Sequence, residues 1–177
     1  MKDITLIGFM GCGKSSAGVE LSAILPDYHL IDLDDFIEDV TDRSIADIFK
    51  EDGEEGFRLI ETDALESIFM IDSDLGRRCI ISLGGGTVTT AESRKLIREN
   101  SLCFYLRAGV DTLEKNLTDF PGNRPMLKTG ASLRSRIEEL MAVRSSIYED
   151  CADHVIDIDG KTYQEIAAEI AAQAERD

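Results

Sequence analysis

The chain has 177 residues, 43% hydrophobic and 31% charged, which is enough for one compact domain with its own apolar core. Nineteen basic residues against 35 acidic ones give a net charge of −16, a surface that repels nucleic acid and anionic membranes and makes both poor partners. The longest apolar runs, such as the one around Leu6, span a few residues, far short of the ~20 that a transmembrane helix needs.

Met1-Lys2-Asp3 leads directly into a strand-like run, without the layout of a secretory signal, so a cytoplasmic protein is expected. Cys12, Cys79, Cys103 and Cys151 are scattered, with no C-x-x-C pair and no metal-ligand spacing. Cys79 and Cys103 fall in apolar runs and read as small core residues. Cys12 lies in a glycine-rich loop, where it is either oxidisable or simply small enough to fit.

Strand-like and helix-like runs alternate from end to end, which points to an α/β fold with a parallel sheet. The expected strands are Ile4–Gly8, His29–Leu33, Cys79–Leu83, Leu102–Leu106 and His154–Ile158. Amphipathic helices are expected after Gly13, over Phe57–Ile71 and over Leu133–Tyr148. Ser44–Asp47 and Thr89–Glu92 read as capping boxes that open helices. The stretch Thr118–Ala131, with Pro121, Gly122, Pro125 and Gly130, has no periodicity and reads as a mobile loop. Tyr163–Ala174 is an alanine-rich helix. No internal repeat or linker divides the chain, so residues 1–177 are read as a single domain.

Gly8-Phe9-Met10-Gly11-Cys12-Gly13-Lys14-Ser15 matches G-x-x-x-x-G-K-[ST] in full. A strand precedes it and a helix follows, the context in which backbone N–H groups and a helix N-terminus cradle phosphates. Lys14 would reach the β- and γ-phosphates, and the Ser15 hydroxyl would bind Mg²⁺. The motif fits a GTPase, an ATPase or a kinase. No guanine-reading N-K-x-D occurs, and the chain is short for a motor ATPase, so a small-molecule kinase fits best.

The acceptor side is carried by fewer residues. Asp32 and Asp34 flank Leu33 at the end of the second strand, and in an extended chain residues i and i+2 share a face. Carboxylates there can organise a metal's water shell or take a proton from an acceptor hydroxyl, or one of them can cap the following helix. Gly84-Gly85-Gly86 closes the third expected strand and lets a ligand approach the backbone, unless it is only a turn. Arg58, Arg124 and Arg144 carry the planar fork that suits carboxylates and phosphates. Arg58 stands three residues before Glu61, so an exposed helical ion pair is its alternative role. Arg144 stands eight residues after Arg136 on one helix face, and can equally be solvated.

Taken together, Gly8–Ser16, Asp32-Leu33-Asp34, Gly53–Arg58, Ser82–Gly86, Asn123–Leu127 and Arg144–Tyr148 resemble the shikimate kinase family, in the family's order and over nearly the whole chain. The resemblance implies a P-loop three-layer α/β/α fold. Its five-stranded parallel sheet has the order 2-3-1-4-5, and a lid covers about residues 118–131. It implies an ATP:shikimate 3-phosphotransferase of the chorismate and aromatic amino-acid pathway, acting as a monomer on ATP and shikimate with Mg²⁺.

On that reading Gly11, Cys12, Gly13, Lys14, Ser15, Ser16 and Arg124 contact ATP, and Lys14, Asp34 and Arg124 are catalytic. Asp34, Arg58, Gly85, Gly86 and Arg144 bind shikimate, while Phe49 and Phe57 line its ring or belong to the core. Ser15 and Asp32 serve the metal. Family members carry Arg-Thr at the lid entrance, seven residues before the lid arginine, and that arginine covers adenine. Leu117-Thr118 stands there instead, so a looser hold on the base is expected. A kinase of another polyol acid such as gluconate, a nucleoside monophosphate kinase and a non-catalytic nucleotide-binding regulator are the rival readings.

Overall fold

The computed structural model describes residues 2–119 and 132–177, leaving aside the side chains of residues 72 and 73. Within the described residues five strands form one parallel sheet: β1 (Asp3–Ile7), β2 (Tyr28–Asp32), β3 (Arg78–Ser82), β4 (Ser101–Arg107) and β5 (His154–Asp157). Their order across the sheet is β2-β3-β1-β4-β5. Ile4 stands beside Ile80 on one side and Leu102 on the other, and the central strands are buried over nearly their whole length. Parallel strands covered on both faces read as continuous apolar runs rather than as alternation, which is why each expected strand is found within one residue at either end.

Among the described residues, seven helices connect and cover the strands: α1 (Lys14–Ile24), α2 (Leu33–Thr41), α3 (Ile45–Leu75), α4 (Ala91–Asn100), α5 (Val110–Asp119), α6 (Leu133–Cys151) and α7 (Tyr163–Ala174). α1 packs on α7, whereas α3 and α6 each pack on α4. The described residues contain no helix long and apolar enough to cross a membrane.

Three local expectations need correction. Thr89 opens no helix: its hydroxyl donates to Gly86 O at 2.6 Å inside a short 3₁₀ turn. The cap of α4 is Thr90, whose side chain accepts from Ser93 N–H. Phe57–Ile71 is the interior of a longer α3, broken at Gly53, where φ is +71°, a conformation that disfavours any side chain. The break lets the segment carrying Phe57 and Arg58 leave the axis of the preceding turns. Finally, Thr118 and Asp119 belong to the last turn of α5, with the Thr118 hydroxyl on Glu114 O at 2.7 Å. The rest of the expected lid, residues 120–131 with Arg124, lies outside the described residues.

By contrast Ser44 opens α3 as expected, accepting from Asp47 N–H at 3.1 Å. α7 spans Tyr163–Ala174 and is fixed by a reciprocal cap between Thr162 and Glu165.

Candidate active site

The chain leaves β1 at Ile7, curls through Gly8–Gly13 and enters α1 at Lys14. Lys14 is buried, and its ammonium donates to Gly8 O at 2.9 Å and Phe9 O at 3.1 Å. The loop therefore wraps around its own cation at the mouth of a helix dipole, a concentrated positive site on a strongly acidic protein. Cys12 is fully buried beneath the loop, so of its two readings the small, fitting side chain holds.

At the end of β2 the two acids separate in role. Asp32 ends the strand and caps α2, accepting from Asp34 N–H at 3.1 Å, while Asp34 sits in the first helical turn. The extended i, i+2 geometry inferred from sequence is thus replaced by a strand-to-helix corner, because a capping aspartate satisfies an otherwise orphan N–H. Both acids still reach one cleft of about 440 Å³, shared with Lys14, Ser15, Ser82 and Gly85. The Ser15 hydroxyl donates to Asp32 Oδ2 at 2.6 Å and lies 3.2 Å from Ser82 Oγ. Burial, and then the charges of Asp32 and Glu61, push the Asp34 carboxyl up to about 6 against the pull of Lys14 and Arg58.

The glycine turn after β3 sits against both arginines. A Cβ on Gly86 would lie 2.1 Å from Arg58 Nη2, so only glycine admits the guanidinium there. Arg58 does pair with Glu61, at 2.6 Å, but not on the surface: their side chains are 11% and 1% exposed. Glu61 also accepts from the Thr87 hydroxyl at 2.6 Å. Arg144, 4% exposed, is not solvated either, and donates to Gly85 O at 3.2 Å.

Phe49 and Phe57 pack as a tilted pair with centroids 4.5 Å apart, Phe57 is buried, and the Arg58 guanidinium lies 5.2 Å from its ring centre. Phe57 belongs to the core cluster and supports Arg58, and Phe49 is partly buried and packed against that cluster. Sequence reasoning missed Glu61, Thr87 and Ser82 as site residues. Glu61 carried a signal in its i+3 spacing from Arg58, whereas the two hydroxyls carried none.

Leu117 does not face the cleft. It continues the buried stripe of Leu113 on α5, and its side chain lies against Gly11. The preceding residue, Asn116, turns the other way: its amide donates to Gly11 O at 2.9 Å and it lines the cleft together with Gly13 and Tyr163. Of the two, Asn116 and not Leu117 faces the cleft, because helical phase places an i, i+4 leucine pair in the core.

The geometry has relatives. The shikimate kinase family model matches residues 10–175. A shikimate kinase of Dictyoglomus turgidum is 38% identical over 94% of both chains, and one of Thermodesulfovibrio yellowstonii is 37% identical over 99% of this chain and 96% of its own. Among solved structures, the shikimate kinase of Acinetobacter baumannii in complex with shikimate superposes with a TM-score of 0.90 at 27% identity, over 99% of this chain and 94% of that one. A phosphate loop beside two carboxylates, two buried arginines and a glycine turn, with sequence matches spanning nearly the full length, establishes that this chain belongs to the shikimate kinase family.

Proposed function

We propose that the chain moves the γ-phosphoryl group of ATP to the 3-hydroxyl of shikimate, with Asp34 as the group that orients the hydroxyl and takes its proton. The observation that carries this reading is the position of Asp34. It shares a cleft with the phosphate loop and feels Lys14 on one side and Arg58 on the other. A carboxyl held near 6 is deprotonated at neutral pH yet basic enough to accept a proton as the new bond forms. Lys14 and the loop amides hold the phosphates where charge develops.

Arg58 and Arg144 grip the acceptor's carboxylate, and the backbone of Gly85 and Gly86 meets its hydroxyls. Arg124 is assigned to the transferring phosphate by the resemblance alone. Phosphoryl transfer of this kind uses a divalent cation to screen the phosphate oxygens. Ser15 and Asp32, a hydroxyl and a carboxylate in contact, fit Mg²⁺, which takes one or two protein oxygens besides phosphate and water.

Carboxylate recognition separates this reading from its rivals. Arg144→Met is expected to weaken shikimate binding by roughly tenfold to a hundredfold, since charge-assisted hydrogen bonds contribute about 1.5–3 kcal/mol. ATP binding should be unchanged. Arg58 is better tested as Arg58→Lys, because alanine would leave Glu61 buried with its charge unpaired. Calorimetry with shikimate and with ATP reads both variants. An ATP-consumption assay across shikimate, quinate, gluconate and AMP should show turnover with shikimate far above the others. Normal shikimate binding by Arg144→Met, or preferred turnover of gluconate or AMP, would sink the assignment.

At the base end, Asn116 offers an amide where a guanidinium would supply a cation–π attraction of roughly 0.5–2 kcal/mol. GTP should therefore be used within about tenfold of ATP, since ~1 kcal/mol is under a factor of ten. Asn116→Arg should tighten ATP by a similar factor and leave shikimate binding alone. Leu117→Arg should instead lower Tm, because it forces a cation into the core against Gly11. Strict ATP selectivity in the unmodified protein would contradict this picture of the base site.

A further inference from the structure

Arg144 and Tyr148 stand four residues apart on α6, and both are buried on the face that meets the glycine turn. Each donates to the same atom. Arg144 Nη1 reaches Gly85 O at 3.2 Å, and the Tyr148 hydroxyl bonds the same oxygen. The Tyr148 ring is held from behind by Tyr105 of β4, with centroids 5.0 Å apart. Burial pushes the phenol far above its ordinary value, so it is a permanent donor at any working pH. On its other side Gly85 is pressed onto the phosphate loop, where a Cβ would lie 2.9 Å from Met10 N. The Gly85 carbonyl is thus the point at which α6, the glycine turn and the phosphate loop meet.

We propose that Tyr148 is a positioning residue for the acceptor: by occupying one lone pair of Gly85 O, it fixes the turn and leaves Arg144 free to serve the substrate carboxylate. A carbonyl oxygen can accept along two lone pairs, and two donors reach this one. Arg144 uses Nη1 on the carbonyl, and its other guanidinium N–H groups remain to meet a carboxylate fork. Without the phenol, Gly85 O keeps the arginine as its donor among the described residues. The guanidinium is then drawn onto a backbone carbonyl that has lost its second donor, and the turn loses its strut against α6. Both changes weaken the acceptor site and leave the phosphate grip of Lys14 and the loop amides untouched.

The inference rests on Arg144 binding the acceptor, and the experiment keeps the two claims apart. Tyr148→Phe preserves the ring, its stack on Tyr105 and the packing, and removes one oxygen. Steady-state kinetics at saturating co-substrate should show KM for shikimate raised by roughly five- to tenfold, the scale on which losing one hydrogen bond acts. KM for ATP should stay within about twofold. Tyr105→Phe is the control: it removes the hydroxyl of the other ring and keeps the same stack, and KM for shikimate should stay near that of the unmodified protein.

A lowered Tm with both KM values unchanged would make Tyr148 merely structural and overturn the proposal. So would an equal rise in both KM values, or a rise in KM for shikimate as large in Tyr105→Phe as in Tyr148→Phe. If Arg144→Met impairs shikimate binding while Tyr148→Phe does not, the positioning role alone fails. If neither variant impairs it, the acceptor assignment of Arg144 fails as well.

Discussion

Lys14→Met is expected to reduce kcat by roughly two to three orders of magnitude, the scale of losing one preorganised charge on a developing anion. The ammonium is the only cation in the phosphate loop itself, and it is held by Gly8 O and Phe9 O within that loop. Arriving phosphates replace or share those carbonyls, so little side-chain ordering remains to be done when the transition state forms. Methionine keeps the length and fills the space, which limits the structural damage to two lost hydrogen bonds, about 1 kcal/mol each, and Phe9 O keeps its bond from Cys12 N–H at 3.2 Å.

A second signature distinguishes charge loss from misfolding. Lys14 pulls the Asp34 carboxyl down, so its removal should move the acidic limb of the pH–rate profile to higher pH. A folded variant with near-normal turnover would remove Lys14 from the mechanism. An unmoved acidic limb would remove its coupling to Asp34.

How much of this was legible in the sequence depends on what kind of contact each feature makes. The five strands read clearly because parallel, doubly covered strands are runs of apolar residues, and the phosphate loop read clearly because its geometry needs glycines at fixed spacing. The D-x-D pair was placed in the right cleft by a wrong local geometry. A strand-to-helix corner brings Asp32 and Asp34 together as effectively as an extended strand would, and the letters do not distinguish them until the cap is seen.

Arg58 and Arg144 were balanced between solvent and site, since helical spacing alone gives no burial. What removes the solvated reading is the glycine turn, which admits Arg58 at Gly86 and receives Arg144 at Gly85 O. Thr87 left no trace in the pattern, because a single hydroxyl acquires its role only through distant neighbours. Counting back from Arg124 put the base position at 117, one residue from the cleft-facing Asn116, because α5 turns by about 100° per residue. A one-residue offset on a helix exchanges a cleft position for a core position.

Asp34→Asn should separate rate from binding and activity from stability. With the proton acceptor gone, kcat is expected to fall by about 10²–10⁴-fold, while the amide still hydrogen-bonds the acceptor and shikimate affinity changes by less than roughly tenfold. The pH dependence provides the sharper measurement. In the unmodified protein kcat/KM should fall as pH drops through about 6, where Asp34 takes up its proton, rather than near the ordinary carboxylate range. The residual activity of Asp34→Asn should lack that limb.

Stability should move the opposite way to activity. The fold raises the Asp34 pKa from 3.8 to about 6, so it favours the neutral carboxyl. That contribution is fully present below pH 4 and is lost as pH rises through 6, and at neutral pH the buried charge is a cost. The cost comes first from burial and then from Asp32 and Glu61, and it amounts to something on the order of 2 kcal/mol. Neutralising the carboxylate removes it, so Tm of Asp34→Asn at pH 7.5 should exceed that of the unmodified protein, and the gap should close as the pH is lowered towards 4. The protein would then be holding a destabilising charge where the chemistry requires one, the usual trade between stability and activity at a catalytic group. A variant that loses activity without gaining stability at neutral pH would show that Asp34 is paid back by a partner in the resting site. An acidic limb that persists in Asp34→Asn would transfer the proton-accepting role to another carboxylate, of which Asp32 and Glu61 are the nearest by charge coupling.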